Sequence, residues 1–312
     1  MRLIRGIHNI ELANQEDEQG SVLTIGNFDG VHLGHQRVIK ALVNKAQELN
    51  AVPVVMVFEP QPQELFTPES APARLTRLRD KYTLLKKLGV KRLLCVTFNA
   101  RFASLSAEAF VSDLLVAQLN INHLIIGDDF KFGKGRTGDF KMLCRAGEKF
   151  GFGVSDTASY KLENCRISST AIRDALQRDA LDEAQAMLGR PYSIIGRVFH
   201  GDKRGRTLGF PTANVHLKRR VSPVAGVYAV SVRIDGKVLA GVANIGSRPS
   251  VNGIRQQLEV HIFDFDQEIY GQSIEVVLMK SLRKEQRFSS LEQLKSQIEI
   301  DSKRARSFFE TR

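Results

Sequence analysis

The residues from Gly26 to Gln36, GNFDGVHLGHQ, place two imidazoles, His32 and His35, on either side of a glycine. They follow an apolar run, VLTIG, and precede a helical pattern, HQRVIKAL. A turn between a buried strand and a helix lies at the carboxyl edge of a parallel sheet, where open α/β sheets bind ligands. The helix N-terminus favours anions there, and imidazoles can donate hydrogen bonds to phosphate oxygens. The stretch therefore predicts a site for nucleotidyl transfer.

Three glycines in this stretch, Gly26, Gly30 and Gly34, allow the backbone to approach a ligand closely. The alternative is that the histidines only cap the helix or line its turn. A metal site is the weaker possibility, because the sequence shows no third ligand nearby.

The composition is that of a globular protein of 312 residues with a formal net charge of +11. The charge predicts an anionic partner, and nucleotide phosphates meet that need as well as nucleic acid does. Three cysteines, none in a CxxC pair, indicate a reducing compartment. The first residues turn acidic too early for a signal peptide, and no apolar run reaches the roughly 20 residues of a membrane span. We expect a cytoplasmic protein without membrane association.

The pattern of predicted strands and helices changes after MLGRP, residues 187–191. Before it, apolar strand-like runs alternate with helical patterns, which predicts a doubly wound parallel sheet with helices on both faces. After it, short strands follow one another, with a hairpin signal at Asp235-Gly236, which favours an antiparallel barrel or sandwich. A final helix with a predicted capping box at Ser289 and Glu292 ends the chain. We place the domains at 1–187 and 188–312.

A second glycine-rich stretch, GRVFHGDKRGRTLGFPTANV, covers residues 196–215. It predicts a cationic loop that wraps a triphosphate, although composition alone would also fit a basic surface loop. The loop residues of interest are Gly201, Lys203, Gly205 and Gly209. Thr212 and Asn214 lie two apart on a predicted strand, so their hard oxygens share one face and suit Mg²⁺. The alternative is that they are buried polar residues bonded to neighbouring backbone.

A third candidate is ISSTAIR, Ile167 to Arg173, which opens a predicted helix. Ser169 and Thr170 at a helix start, with Arg173 one turn later, form a reasonable phosphate clamp. By itself the pattern fits a simple N-cap equally well.

Together these motifs resemble a known family. The HxGH pattern and ISSTAIR are similar to the nucleotidyltransferase superfamily. The full stretch GNFDGVHLGHQ resembles the adenylyltransferase module of bacterial bifunctional riboflavin kinase/FMN adenylyltransferases. The resemblance implies that Gly26, Phe28, Gly34, Ser169 and Thr170 bind ATP, and that His32, His35 and Arg173 are catalytic. The segment GDDFKFGKGRTGD resembles the family's flavin- and adenine-binding segment and nominates Asp129 and Phe130. Gln61 stands where the family usually has a histidine.

The second half resembles riboflavin kinases, whose run GxxxGxxLGFPTAN fits here without a gap. The resemblance implies a β-barrel, ATP binding by Gly201, Lys203, Gly205 and Gly209, and Mg²⁺ at Thr212 and Asn214. In QQLEVHIF, Glu259 occupies the family's catalytic position and would accept the proton of the ribityl 5′-hydroxyl. LRKEQRF resembles the flavin-contacting segment and nominates Arg283.

The expected function is therefore phosphorylation of riboflavin by MgATP to FMN, followed by adenylylation of FMN to FAD. One rival is a monofunctional enzyme in which one half binds flavin or regulates. The other rival is an RNA-associated protein, since HxGH domains occur in tRNA synthetases. We expect neither nucleic acid nor an obligatory protein partner, because the sequence has no KMSKS-like loop or anticodon-type domain.

Overall fold

A computed structural model of the chain describes residues 1–10, 19–127, 129–157, 161–162, 165–201, 209–217, 221–250 and 253–311. The chain forms two compact units. The first comprises Met1–Pro72 and Thr76–Ser168, and the second comprises Ala73–Leu75 and Ser169–Arg312. The helix Ser169–Gln177 thus groups with the second unit. The domain boundary at 187/188 remains a prediction.

The first unit is built on a six-stranded parallel sheet with strand order β1-β4-β3-β2-β5-β6. Its central strands are continuous apolar runs whose alternate side chains enter two separate cores, one on each face. The strands are β1 Arg2–Arg5, β2 Ser21–Ile25, β3 Val52–Glu59, β4 Arg92–Thr97, β5 Ile121–Gly127 and β6 Gly153–Thr157. The predicted doubly wound sheet is confirmed.

Helices cover both faces of this sheet. Ile39, Leu42 and Ala46 form the buried stripe of the first helix and pack on one face. The helices are α1 Leu33–Glu48, α2 Pro62–Phe66, α3 Leu78–Lys87, α4 Ala100–Ala103, α5 Ala107–Ala109 and α6 Phe140–Phe150. Helix α5 continues as a wider π-helical turn, Phe110–Gln118. Two short strands, β7 Lys161–Leu162 and β8 Cys165–Arg166, pair with each other.

The second unit begins with two helices, α7 Ser169–Gln177 and α8 Leu181–Leu188. A closed antiparallel barrel follows, with strand order β10-β13-β12-β11-β14-β9. Its strands are β9 Ser193–Phe199, β10 Ala213–His216, β11 Gly226–Ile234, β12 Lys237–Ser250, β13 Gly253–Ile262 and β14 Ser273–Arg283. Helix α9, Leu291–Glu310, packs on the outside of the barrel against β11, β12 and β14. The predicted barrel and terminal helix are confirmed.

Alternate residues of each barrel strand fill its interior. Leu258, Val260 and Ile262 of β13 point into the core, whereas Glu259 and His261 lie on the outer face, as the alternation predicts. Asp235 and Gly236 join β11 to β12 with φ values of 46° and 78°, which is the primed turn expected of an Asp-Gly hairpin.

Two local predictions differ from the structure. Strand β1 was not predicted, because its four residues, RLIR, are charged at both ends and lie at the sheet edge. The capping box at Ser289 and Glu292 is wrong by one residue, since Ser290 caps α9 and accepts a hydrogen bond from the Gln293 amide. Among the described residues, no helix is both long enough and apolar enough to cross a bilayer.

Candidate active sites

The loop between β2 and α1 holds the two histidines against each other. Their rings stack with centroids 3.6 Å apart, and His35 also contacts the Phe28 ring at 5.0 Å. His32 is the N-cap of α1 and its Nδ1 accepts a hydrogen bond from the His35 amide at 3.2 Å. When the His32 ring is neutral, this acceptor role of Nδ1 places its proton on Nε2. Capping and ligand binding are therefore compatible in one residue.

The same loop carries unusual backbone conformations. Phe28, Gly30 and Val31 have φ values of 46°, 83° and 43°. A β-branched residue in the left-handed region costs about 1–3 kcal/mol and persists only where the surroundings hold it. Here the Asp29 carboxylate accepts hydrogen bonds from the Thr76 amide and hydroxyl, and that hydroxyl accepts from the Gly30 amide. Strain of this kind is typical of binding loops.

The buried ammonium of Lys81 places a positive charge near the histidine pair. Lys81 of α3 is only 2% exposed, and its ammonium donates a hydrogen bond to the Asn27 carbonyl. Burial, followed by the charges of His32 and Lys81, holds the pKa of His35 well below its usual range. His35 is therefore neutral at pH 7, and its buried Nδ1 has no hydrogen-bond partner among the described residues.

We expect this low pKa to make stability depend on pH. Below the unfolded-state pKa of about 6.5, the unfolded chain binds a proton at His35 that the folded protein excludes, so stability falls as pH falls. The slope from this one residue reaches at most about 1.4 kcal/mol per pH unit. Urea unfolding between pH 7.5 and pH 5 should therefore show a steeper decline for the wild type than for His35→Ala. The exposed His8 provides the control, since His8→Ala should decline as the wild type does.

A row of phenylalanine rings lies at the carboxyl ends of the strands in the first unit. Phe130, which follows β5, stacks on Phe132 with centroids 5.7 Å apart, while Asp129 is exposed beside it. Neighbouring rings continue the row at centroid distances between 5.2 and 6.4 Å. They are Phe110, Phe102, Phe58, Phe98 and Phe66. Sequence analysis nominated only Phe130, although Phe58 lies near the end of β3 and Phe98 directly follows β4.

Gln61 is buried at the start of α2, where it is the N-cap residue. Its Nε2 has no hydrogen-bond partner among the described residues. Two of the residues predicted to bind ATP in the first site are glycines. Gly26 follows β2, and Gly34 lies in the first turn of α1.

Helix α7, which carries the third motif, begins with Ser169 and Thr170. The guanidinium of Arg173 donates through Nε to the Ala73 carbonyl at 2.5 Å, within the second unit. His32 and His35 belong to the first unit. The phosphate clamp predicted for Ser169, Thr170 and Arg173 therefore remains a prediction.

The outer face of the barrel presents one lateral row of side chains across five strands. Asn214 of β10 is paired with Glu259 of β13, which is paired with Asn244 of β12. Asn244 is paired with Val227 of β11, and Val227 with Arg283 of β14. Residues between 15 and 56 positions apart in sequence are brought side by side in this way. Asn244 was not predicted from the sequence.

Two cavities adjoin this row. A large cavity of about 570 Å³ is lined by Glu259, Asn244 and Arg283 and by apolar groups of β11, β12 and α9. A small cavity of about 270 Å³ is lined by Gly201, Asn214 and Tyr270. Thr212, one residue before β10, lines both cavities and therefore marks the point where they adjoin.

The segment between Gly209 and Asn214 is held in place by defined contacts. Gly209 has φ 86°, a conformation that other residues rarely adopt. His261 Nδ1 lies 2.9 Å from the Pro211 carbonyl, which can only accept, so the imidazole donates. A side chain at Gly201 would approach Asn214 Nδ2 to 2.4 Å, so the absence of one leaves room for this amide. Lys203 and Gly205, predicted to bind phosphate, lie outside the described residues.

Arg283 faces the large cavity but is engaged by α9. Its Nε and Nη2 donate to the Asp301 carboxylate at 2.8 to 3.1 Å, and Nη1 donates to the Lys284 carbonyl at 3.0 Å. Gln297 also donates to Asp301 at 2.9 Å. Whatever Arg283 contributes to a ligand, it also anchors the helix that forms one wall of the cavity.

We expect Asp301→Ala to lower the free energy of unfolding by about 3 kcal/mol, because it leaves a largely buried guanidinium without its counterion. The Arg283 and Asp301 side chains are 17% and 4% exposed. The KM for the ligand of the large cavity should rise as α9 loosens. The matched control is Asp264→Ala, which breaks the exposed pair with Arg306 and should leave unfolding unchanged. Equal effects of the two substitutions in urea denaturation would contradict the assignment.

Comparisons with known proteins identify the family of each half of the chain. A family model described as FAD synthetase matches residues 14–171, and one described as riboflavin kinase matches residues 188–309. The bifunctional riboflavin kinase/FMN adenylyltransferase of Escherichia coli (strain K12) is 56% identical over 310 residues, covering 99% of this chain and 98% of the relative. The chain belongs to this bifunctional family.

One further relative belongs to the same family, and one solved structure aligns over nearly the whole chain. The bifunctional riboflavin kinase/FMN adenylyltransferase of Haemophilus influenzae is 53% identical and covers 99% of both chains. A crystal structure from Streptococcus pneumoniae, described as a macrolide-efflux protein, is 31% identical. It aligns with a TM-score of 0.78 over 96% of this chain and 97% of that one. The family assignment ascribes the histidine loop to the FAD synthetase part and the barrel row to the riboflavin kinase part.

Proposed function

We propose that the barrel phosphorylates riboflavin with ATP, giving FMN and ADP, and that the first unit then transfers AMP from a second ATP to FMN, giving FAD and pyrophosphate. The observation that supports this most directly is the pair of cavities that share Thr212. One holds a candidate base, Glu259, and the other a candidate phosphate-side ligand, Asn214. A kinase needs this arrangement, with acceptor and donor sites that meet at one point.

In the kinase step, the large cavity would hold the isoalloxazine ring. Its apolar lining from Val227, Val242 and α9 suits a flat aromatic ligand, with Arg283 at one side. Glu259 would accept the proton of the ribityl 5′-hydroxyl while the oxygen attacks the γ-phosphorus and the bond to ADP breaks. Gly201 would contact the ATP phosphates in the small cavity, with Tyr270 beside the nucleotide.

Mg²⁺ is the proposed cofactor, and the residues present fit it. Thr212 and Asn214 offer a hydroxyl and an amide oxygen, which are hard donors, and Asn214 is 7% exposed beside the Glu259 carboxylate. Mg²⁺ prefers few protein ligands together with substrate phosphates. Such an ion would neutralise charge on the transferring phosphate. Thr212 and Asn214 would orient it between the two cavities.

In the adenylylation step, the nucleophile is the FMN phosphate, which is already ionised, so no general base is required. The chain's task is to position the phosphates and stabilise charge at the α-phosphorus of ATP. His32, whose Nδ1 accepts from the His35 amide, and the neutral His35 would donate ring N–H groups to the phosphate oxygens. Gly26, Phe28 and Gly34 would approach the nucleotide. A phosphate-binding role for Ser169, Thr170 and Arg173 is proposed from their sequence motif alone.

The flavin of this second step would lie on the phenylalanine row. Phe130 and its neighbours present an aromatic surface at the carboxyl edge of the sheet, where stacking on isoalloxazine is favourable. Asp129 is exposed at the end of that row and could accept a hydrogen bond from the ring system or the ribityl chain.

ATP, riboflavin, FMN and FAD are the partners we propose, with no nucleic acid, membrane or obligatory protein partner. We also propose that the enzyme acts in the cytoplasm. Within the described residues, Cys95 and Cys144 form no disulfide, which agrees with a reducing compartment.

The experiment that tests this function is a chromatographic time course of purified protein with riboflavin and MgATP, repeated with FMN as the starting flavin. We expect FMN to appear first and FAD afterwards, and FAD alone from the FMN reaction. Removal of divalent cation with EDTA should stop FMN formation, and added Mg²⁺ should restore it. If riboflavin yields FMN only, or if only FMN is accepted, one half binds or regulates and the bifunctional proposal is wrong.

A further inference from the structure

Gln257 contacts both of the groups that the kinase proposal places on either side of the reaction. It lies on β13 two residues before Glu259, so the two side chains share the outer face of the barrel. Its Nε2 donates to Asn214 Oδ1 at 2.6 Å and lies 3.3 Å from Glu259 Oε1. An amide nitrogen carries two hydrogens, so one group can serve both acceptors.

The bond to Asn214 determines which way that amide faces. Asn214 Nδ2 donates to the Thr212 carbonyl at 3.3 Å, while Oδ1 accepts from Gln257. An asparagine amide can rotate to exchange its oxygen and nitrogen, and only the hydrogen-bond network selects one orientation. Together the two contacts place the oxygen on Gln257, whose Nε2 also reaches Glu259, and the nitrogen on the Thr212 carbonyl.

The contact of Gln257 with Glu259 reduces the repulsion between the Glu259 carboxylate and Asn214 Oδ1. Asn214 Oδ1 and the Glu259 carboxylate come from paired positions of neighbouring strands, and both are acceptors. A donor that reaches both oxygens offsets this repulsion. Without it, each acceptor would lower its energy by turning away, and the separation between the two groups would widen.

We propose that Gln257 is a positioning residue for riboflavin phosphorylation, which holds the Glu259 carboxylate and the Asn214 carbonyl oxygen in a fixed mutual orientation. This inference rests on the proposed roles of Glu259 and Asn214. It assigns Gln257 no contact with substrate. Its effect should therefore appear in the rate of the chemical step and not in flavin binding.

The test replaces Gln257 with methionine, which has a similar size but cannot donate. We expect kcat for riboflavin phosphorylation to fall about 10-fold or more, the amount that a hydrogen bond to a charged group is worth. The KM for riboflavin should stay within about two-fold, because the cavity walls are unchanged. FMN adenylylation, started from FMN, should be unaffected. The control is Gln185→Met, the same change at an exposed position of α8.

A double-mutant cycle separates positioning from general stabilisation. If Gln257 acts through Glu259, then Gln257→Met should cost little further activity in a Glu259→Gln background. If Gln257→Met lowers kcat by the same factor in the Glu259→Gln background as in the wild type, the inference is wrong. Gln257→Glu provides a second variant of nearly the same shape in which the donor becomes an acceptor. It should be slower than the methionine variant.

The outcomes distinguish the inference from the function on which it rests. Wild-type kcat in Gln257→Met or Gln257→Glu, together with impaired Glu259→Gln, overturns the positioning role alone. Wild-type kcat in Glu259→Gln overturns the proposed base. If Gln257→Met lowers the melting temperature and FMN adenylylation in parallel, and Gln257→Glu does the same, the residue is structural and the inference fails.

Discussion

We expect replacement of Glu259 by glutamine to lower the rate of riboflavin phosphorylation about 10²- to 10⁴-fold, the contribution typical of a positioned general base. The substitution keeps the size and the outward position of the side chain on β13. It removes the charge that would accept the proton of the ribityl hydroxyl. FMN adenylylation, assayed with FMN as substrate, should keep its wild-type rate because its histidines lie in the other compact unit.

Initial rates of FMN formation under saturating MgATP measure this effect. Glu299→Gln, the same change on the exposed face of α9, is the control and should behave as the wild type does. A folded Glu259→Gln enzyme that still phosphorylates riboflavin at the full rate would mean that the base lies elsewhere or is not needed. In that case the row on the barrel surface would have to be interpreted as a binding surface only.

The second large effect is expected at His35. Its replacement by alanine should lower FMN adenylylation about 10²- to 10³-fold, as the loss of one charge-stabilising donor does in other transfer enzymes. Riboflavin phosphorylation should continue, so FMN accumulates where the wild type forms FAD. The neutral His35 imidazole is stacked on His32, and no described residue forms a hydrogen bond with its buried Nδ1. A hydrogen bond within the described residues therefore does not explain the position of this ring.

The two products, separated by chromatography, report both activities in one reaction. His8→Ala, on an exposed ring, controls for the loss of an imidazole. Circular dichroism should confirm that His35→Ala remains folded, since its stacked partner still caps α1. Undiminished FAD formation in the folded variant would contradict the catalytic assignment.

Much of the fold was accessible from local pattern. Continuous apolar runs such as VPVVMVF predict strands covered on both faces, because successive side chains point to opposite faces and all of them must then be buried. Asp235-Gly236 predicts a hairpin because its turn requires positive φ at both residues, which these residue types tolerate. Local pattern is less decisive at short edge strands such as β1. It also fails where two neighbouring residues compete for one role, as Ser289 and Ser290 do at the start of α9.

The motifs of the two sites were also visible in sequence, because each is contiguous. The histidine loop, the FPTAN run and the strand bearing Glu259 each carry their chemistry within about ten residues. Their residue types and order were enough to indicate phosphate chemistry in both halves. They were enough to indicate the family as well, which the comparisons confirm.

The apolar stripe of α9 shows what pattern alone leaves undecided. The helical spacing of the sequence places Leu291, Leu294, Ile298, Ala305 and Phe308 on one apolar stripe. In the structure, the first three line the large cavity, while the last two pack against the barrel. Periodicity identifies an apolar face, but it does not distinguish a face that meets a core from one that meets a ligand.

By itself, then, the sequence determined the two-part architecture, the family and the motifs, since these depend on short-range periodicity and on contiguous residues. Only the tertiary structure decided which distant residues face one another. Asn214, Glu259, Asn244 and Arg283 meet because barrel closure sets the register between strands, and that register follows from the packing of all six strands together. For the same reason, the contact of Gln257 with both Asn214 and Glu259 could not be predicted from the chain.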